Sequence, residues 1–180
     1  MSQETNNLKL VSNGIKYFIG IPFLIGVSIA IFAPTDVLKY GVAQMLNDIA
    51  AFIFPAVRKI KGDYELGQVA KLYFSVMWLM SPLIFFGGYR DIQRQADKVV
   101  LNIQKNRLFV IFLVGILFPI VGICMANLSM ESTDPYDIRT MLTFHTRWGM
   151  PLWGFVIPAG ASTLIAMGVF VVRNIHRTFD

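Results

Sequence analysis

The residues best suited to chemistry lie together just before the last apolar stretch of the chain: Asp137, Arg139, His145 and Arg147. A histidine can act as a general base, and arginines can hold an anionic group through charge-assisted hydrogen bonds. Charged residues also flank membrane helices routinely, and Trp148 beside this cluster is typical of the aromatic belt at a membrane surface. We therefore expect the cluster to mark a helix end, and we predict that the protein is not an enzyme.

Metal, haem and nucleotide sites need residues that the sequence does not supply. Its two histidines, His145 and His176, flank the last apolar stretch at opposite ends, which is too far apart for one metal ion. The single cysteine, Cys124, cannot form an internal disulfide. No HExxH, Cys/His cluster, GxSxG or glycine-rich nucleotide loop occurs. The sequence therefore predicts no cofactor, no metal site and no catalytic residue.

Four long windows contain no charged residue, and they hold 19, 18, 23 and 25 residues. About 20 apolar residues in a helix cross the roughly 30 Å hydrocarbon core of a bilayer. Only 15% of the residues are charged and 55% are hydrophobic, whereas soluble domains have about 25% charged residues. The windows predict four transmembrane spans, at about residues 17–34, 72–89, 108–130 and 148–172.

A different kind of helix is predicted between the first two spans, over about residues 36–57. Polar residues alternate there with apolar residues at helical spacing, and the apolar stripe comprises Val42, Met45, Leu46, Ile49, Ala50, Ile53 and Phe54. Asp48 lies near the middle of this segment, and a carboxylate at the bilayer centre costs about 2.5–3.5 kcal/mol. We therefore expect an amphipathic helix that lies at the interface or packs across the bundle, rather than a fifth span.

Another helical pattern runs from Arg90 to Asn106, where apolar residues form one stripe and polar residues occupy the other side of the helix. It predicts a helical cytosolic extension between spans 2 and 3. The predicted fold is an all-α integral membrane protein in which residues 1–180 form a single membrane domain. This domain is a four-transmembrane-helix bundle with one extra amphipathic helix between spans 1 and 2.

The distribution of lysine and arginine sets the expected orientation in the membrane. The two termini and the loop between spans 2 and 3 carry 9 of these residues, and the two other loops carry 7. We predict that both termini are cytoplasmic and that the membrane is a bacterial inner membrane. Membrane orientation then accounts for the net charge of +5, so we expect no nucleic-acid partner.

Small residues in spans 3 and 4 predict a helix-packing surface, because small side chains let helix backbones approach closely. The surface comprises Gly122, Ala126, Ala159, Ser162, Thr163 and Ala166. Packing inside the bundle and docking on another membrane protein both explain these residues. The four spans contain no ionisable residue, which favours a non-catalytic protein that binds another membrane protein or itself within the bilayer.

The lack of catalytic groups and the helix-packing surfaces favour a small subunit, an assembly factor or an immunity-type inhibitor of another membrane protein. The analogy to bacterial four-helix immunity proteins and to small inner-membrane subunits of secretion or conjugation machines is one of size and topology alone, without a shared motif. The alternative is a small oligomeric transporter or channel-like protein. In that hypothesis Asn47 and Asp48 line a polar route, and the proline in each span kinks its helix to open a cavity.

Overall fold

The computed structural model describes residues 18–60, 65–96, 107–127 and 145–175, and all regular secondary structure in these ranges is helical. The α-helices are, in chain order, α1 Phe18–Phe32, α2 Gly41–Ile53, α3 Pro55–Arg58, α4 Gly67–Leu79, α5 Ser81–Arg94, α6 Arg107–Val110, α7 Phe118–Asn127 and α8 Val156–Arg173. A 3-10 turn, Val37–Lys39, precedes α2. Two π-helical segments, Ile111–Leu117 and Met150–Gly154, precede α7 and α8.

Within the described ranges, three helical stretches are long and apolar enough to cross a membrane: Gly67–Arg94, Leu108–Asn127 and Met150–Arg173. They coincide with the predicted spans 2, 3 and 4, and they indicate an all-helical membrane protein. Helix α1, at the position of span 1, is apolar but shorter in the described residues. Helix α2 lies within the segment for which an amphipathic helix was expected, and it has 13 residues.

The helix of span 2 is longer than its uncharged window because charges mark the edge of the hydrocarbon, whereas helical hydrogen bonding continues into the polar region. The stretch begins at Gly67 and continues past the end of the window to Arg94. The predicted cytosolic extension begins within α5, but its residues 97–106 lie outside the described ranges. Residues 128–130, at the end of predicted span 3, lie outside them as well.

Each π-helical segment lies just before a proline. Pro119 follows Ile111–Leu117, and Pro158 follows Met150–Gly154. A proline ring clashes with the carbonyl group four residues earlier, and a turn widened by one residue relieves that clash. The backbone N–H of Phe118 accordingly donates to the carbonyl oxygen of Leu113, five residues earlier. In spans 3 and 4 the prolines are therefore accompanied by widened turns.

The chain divides into two compact units. The first unit consists of Met1–Ile21, Pro82–Ile123 and Ala159–Asp180, and the second consists of Pro22–Ser81 and Cys124–Pro158. Three of the four points at which the chain passes from one unit to the other fall at the proline of a span. The single membrane domain expected for residues 1–180 stays a prediction.

Each unit has its own apolar core. Helix α4 supplies more of the core of the second unit than any other described helix, and its fully buried side chains are Val69, Ala70, Tyr73, Phe74 and Met77. In the first unit, Phe170 and Val171 of α8 are buried. The partly buried side chains packed against that pair are Tyr89, Ile92, Ala96, Val110, Ile111 and Val114.

Candidate functional site

Arg147 closes the C-terminal end of α1 within the second unit. Its Nη1 atom donates to the carbonyl oxygens of Ala30, Ile31 and Ala33 over 3.0, 2.9 and 2.8 Å. The last carbonyl groups of a helix have no partner in their own helix, and a cation beside them also interacts favourably with the helix dipole. The arginine that sequence analysis placed in a possible catalytic cluster therefore has a structural role at the end of α1.

Of the other members of that cluster, His145 is the one that the structure describes. His145 is exposed, and Asp137 and Arg139 lie outside the described ranges. Among the described residues, no group of three or more His, Cys, Asp or Glu side chains is placed to hold a metal ion. That the protein is not an enzyme and needs no cofactor stays a prediction.

A second cation contacts the end of another helix in the same unit. Lys59, which follows α3, donates from Nζ to the carbonyl oxygen of Asn127 over 2.6 Å, and Asn127 is the last residue of α7. Like Arg147, it brings a positive charge to a helix C-terminus from a distant part of the chain. Lys59 and Arg147 belong to the seven lysine and arginine residues in the two loops expected on the non-cytoplasmic side. Both of them thus contact helix ends.

The polar pair of the transporter hypothesis lies on α2, beside α4. The hydroxyl of Ser75 donates to the carbonyl oxygen of Lys71 over 2.6 Å, and its Oγ lies 3.3 Å from Oδ1 of Asn47. Asp48 is exposed, and a long contact of 3.5 Å joins its Oδ1 to Nδ2 of Asn47. Asn47 therefore links two helices, whereas Asp48 lies on the exposed side of α2.

Helix α2 packs through small residues and exposes large apolar ones. Ala43 and Ala50 are buried, at 7% and 0% exposure. The outer apolar face of α2 comprises Val42, Met45, Ile49, Phe52 and Ile53, all of them exposed. Only one residue of the apolar stripe seen in the sequence, Ala50, is buried. Four of its seven residues, Val42, Met45, Ile49 and Ile53, are left exposed by the described part of the chain.

Part of the predicted helix-packing surface is used inside the first unit. A Cβ atom on Gly122 would lie 2.7 Å from Cγ1 of Ile165 and 2.8 Å from the carbonyl oxygen of Ala161. This spacing shows that α7 and α8 are in close backbone contact at Gly122. Ala166 is fully buried, and a Cβ atom on Gly88 would lie 3.9 Å from its Cβ.

The remaining small residues are buried to different extents. Ser162 is buried, and Thr163 is half-buried and donates from Oγ1 to the carbonyl oxygen of Ala159 over 2.8 Å. Such a bond back to the preceding turn satisfies a hydroxyl within its own helix. Ala159 and Ala126 are half-buried. Gly122 and Ala166 are therefore in contact with other residues of the first unit.

Sequence analysis missed the role of Tyr73, a core residue of α4. A Cβ atom on Gly26 would lie 2.9 Å from Cε2 of Tyr73, and one on Gly154 would lie 2.7 Å from its Cε1. Gly26 in α1 and Gly154 before α8 thus make room for one aromatic ring. The Tyr73 hydroxyl and Nε1 of Trp78 are both buried without a hydrogen-bond partner in the described part of the chain. The sequence carried little signal of this role, because residues 17–34 and 148–172 each contain more than one glycine and nothing marks Gly26 and Gly154 among them.

Asp91 was also missed, because it lies two residues beyond the predicted end of span 2. It is 9% exposed, and its Oδ1 atom is buried without a hydrogen-bond partner among the described residues. It lies one helical turn after Gly87, where an added Cβ atom would clash with the side chain of Phe18. Its spacing from Ile84 and Gly87 places it on the buried face of α5.

The most exposed of the three long helices is Leu108–Asn127. Only 11% of its apolar window is buried, compared with 50% for Gly67–Arg94 and 39% for Met150–Arg173, and its mean hydropathy of 2.9 is the highest of the three. The outer face of span 3 comprises the exposed residues Leu108, Phe109, Phe112, Ile116, Leu117, Ile120, Val121 and Ile123. Most of this helix is therefore left uncovered by the part of the chain that the structure describes.

Comparisons of the chain with protein-family models, with curated proteins and with solved structures give no match. The surfaces and contacts described above are therefore the basis for assigning a function.

Proposed function

We propose that the chain is a non-catalytic membrane protein with four spans that acts by binding another membrane protein. It would serve as a small subunit, an assembly factor or an immunity-type inhibitor. The observation that carries this proposal is the outer face of span 3. A span that buries so little of itself against its own chain contributes a large apolar surface to the outside of the fold.

The position of the small residues supports the same proposal. Gly122 and Ala166 pack against neighbours in the first unit, so internal packing already uses this part of the small-residue surface. The partner is then expected on the larger side chains of the outer face of span 3. Phe109 and Phe112 are 67% and 62% exposed there, and aromatic anchors often dominate binding energy at protein interfaces.

The experiment is purification of the tagged chain in a mild detergent, followed by identification of co-purifying membrane proteins. We expect one partner at a fixed ratio, and we expect the double variant Phe112→Ala, Ile116→Ala to reduce its recovery at least about tenfold, equivalent to roughly 1.4 kcal/mol. The matched control is Val169→Ala, Val172→Ala, which removes exposed apolar side chains from α8.

Three results decide the proposal. Equal losses in the two double variants would mean that the outer face of span 3 is not the binding surface. Recovery of a monodisperse chain without a partner would contradict the partner role. A complex that contains only copies of this chain would show that the chain binds itself and not a different membrane protein.

For the topology, the proposal adds α1 as the first span, α2 as an extra amphipathic helix and a cytosolic extension after α5. Both termini would face the cytoplasm of a bacterial cell, with the chain in the inner membrane. The 9 to 7 distribution of lysine and arginine supports this orientation. Lys59 and Arg147 strengthen it, because their contacts with helix ends give them a reason to lie on the side with fewer cations.

One observation favours the alternative, a small oligomeric transporter or channel-like protein. Asp91 is a buried carboxylate on a helix long enough to cross the membrane, and ionisable groups in such helices often mark a pathway for ions. Ion flux into liposomes that contain the purified chain tests this function. We expect Asp91→Asn to abolish flux if the alternative holds, and Asp48→Asn to test the exposed carboxylate of α2. Absence of flux in the unmodified protein removes the alternative.

A further inference from the structure

The contacts between α2 and α4 place the two helices side by side, running in the same direction. Three contacts between this part of the chain and α4 follow one another in the same order along both. They join Leu38 to Gln68 by a hydrogen bond of 3.3 Å, Asn47 to Ser75 at 3.3 Å, and the rings of Phe54 and Trp78 at a centroid distance of 5.1 Å. Helix α2 therefore follows α4 along its length instead of crossing over its end.

The position of the last charged residue of α4 shows how far α2 extends into the hydrocarbon core of the membrane. Lys71 is the last charged residue before the uncharged window of span 2, so it marks the edge of the hydrocarbon. Trp78 lies seven residues later, about 10 Å further along a helix at 1.5 Å per residue. The C-terminal end of α2, where Phe54 stacks on Trp78, thus lies about 10 Å inside that edge.

Helix α2 is too short to continue to the other side. Its 13 residues extend about 20 Å, compared with a hydrocarbon core of roughly 30 Å. The helix ends before Pro55, and the short α3, Pro55–Arg58, follows directly. Lys59 then reaches the carbonyl oxygen of Asn127 at the end of α7, close to the edge of span 3. The segment therefore enters and leaves on the same side.

We propose that α2 is a re-entrant helix, inserted beside α4 in one half of the bilayer, whose outer apolar face is covered by lipid acyl chains. The insertion accounts for Phe52 and Ile53, which are 90% and 53% exposed in the described part of the chain. Asp48 remains near the polar edge, because its neighbour Asn47 is level with Ser75, about 6 Å beyond Lys71. The inference uses the membrane setting of the proposed function but not its partner.

Spin labels on single cysteines test the insertion in vesicles of phosphatidylcholine and phosphatidylglycerol. The exposed Cys124 is first changed to serine, and labels are then placed one at a time at Phe52 and Ile49, with Lys39 and Ile120 as references for water and hydrocarbon. Collision with oxygen reports hydrocarbon, and collision with a water-soluble nickel complex reports water. We expect the ratio of oxygen to nickel accessibility at Phe52 to be at least about tenfold higher than at Lys39.

Ile49 provides a second position in case the label at Phe52 prevents folding, and we expect a ratio between those of Lys39 and Ile120. Ratios at Phe52 and Ile49 equal to the Lys39 value would place α2 in water and overturn the proposal. Low accessibility to both reagents at these positions would mean that protein covers the face, which overturns it as well. A water-like ratio at Ile120 would contradict the membrane setting and the proposed function together.

Discussion

Arg147 is the residue whose interpretation changes most between sequence and structure. As a member of a polar cluster it suggested an anion-binding group, whereas its contacts place it on the last carbonyl groups of α1. One Nη1 atom carries two hydrogens and faces three carbonyl oxygens, so at least one hydrogen is shared. Hydrogen bonds that involve a charged group contribute about 1.5–3 kcal/mol each, so this contact is a large part of the stability of the α1 end.

We predict that Arg147→Gln lowers the free energy of unfolding by roughly 1.5–3 kcal/mol, because the carbonyl groups of Ala30 and Ile31 lose a charged donor. Thermal unfolding in detergent measures the change as a lower Tm. Arg58→Gln is the matched control, since Arg58 is an exposed cation of the same unit. Equal effects of the two substitutions would show that net charge, rather than the contact with α1, is what matters.

For Tyr73 we predict the opposite effect, a rise in Tm on substitution. Its hydroxyl is buried without a hydrogen-bond partner in the described ranges, and such a group costs about 1–3 kcal/mol. Tyr73→Phe keeps the ring between Gly26 and Gly154 and removes the hydroxyl, so we expect a higher Tm. Ser75→Ala, which removes a hydroxyl that donates over 2.6 Å, is expected to leave Tm unchanged or lower it. A lower Tm for Tyr73→Phe would mean that the hydroxyl has a partner.

The contact of α7 with α8 is tested by adding one methyl group. Gly122→Ala puts a Cβ atom 2.8 Å from the backbone oxygen of Ala161, so the helices must separate, and overpacking of this kind costs about 1–3 kcal/mol. Gly20→Ala is the control, because nothing lies within 4 Å of its Cβ position in α1, and alanine favours a helix by about 1 kcal/mol. We expect Tm to fall for Gly122→Ala and to rise for Gly20→Ala. A rise for both would mean that α7 and α8 are not in close contact.

Sequence patterns predicted where the helices lie better than which side of each helix is covered. The uncharged windows coincide with three long helices because charge is excluded from hydrocarbon whatever the neighbouring helices are. The buried side depends on the neighbours. In α2 the apolar stripe left open whether Val42 and Met45 face the bundle or the membrane; the alanines pack, and these two residues are exposed. Asp91 escaped notice because burial beyond a charged boundary depends on packing against other parts of the chain.

The whole molecule is predicted to have one orientation, which labelling from one side can test. In a Cys124→Ser background, single cysteines at Lys39 and Gln93 report the two faces, since both positions are exposed. With cytoplasmic termini, an impermeant maleimide added to intact spheroplasts should label Lys39→Cys and leave Gln93→Cys unlabelled until the membrane is broken. The reverse pattern would show that both termini lie outside the cytoplasm. Labelling of both cysteines in intact spheroplasts would show that the protein inserts in both orientations.

The contact of Arg147 with α1 also has a consequence for the order in which the protein is made. The residues it joins are 114 to 117 positions apart, so at about 5–20 residues per second the ribosome needs roughly 6–23 s after completing α1 to supply its final hydrogen-bond donor. During that interval the end of α1 must be held by water, lipid headgroups or the insertion machinery. A chain that stops before Arg147 never acquires this closure, so a quality-control protease could recognise it by the open end of its first helix.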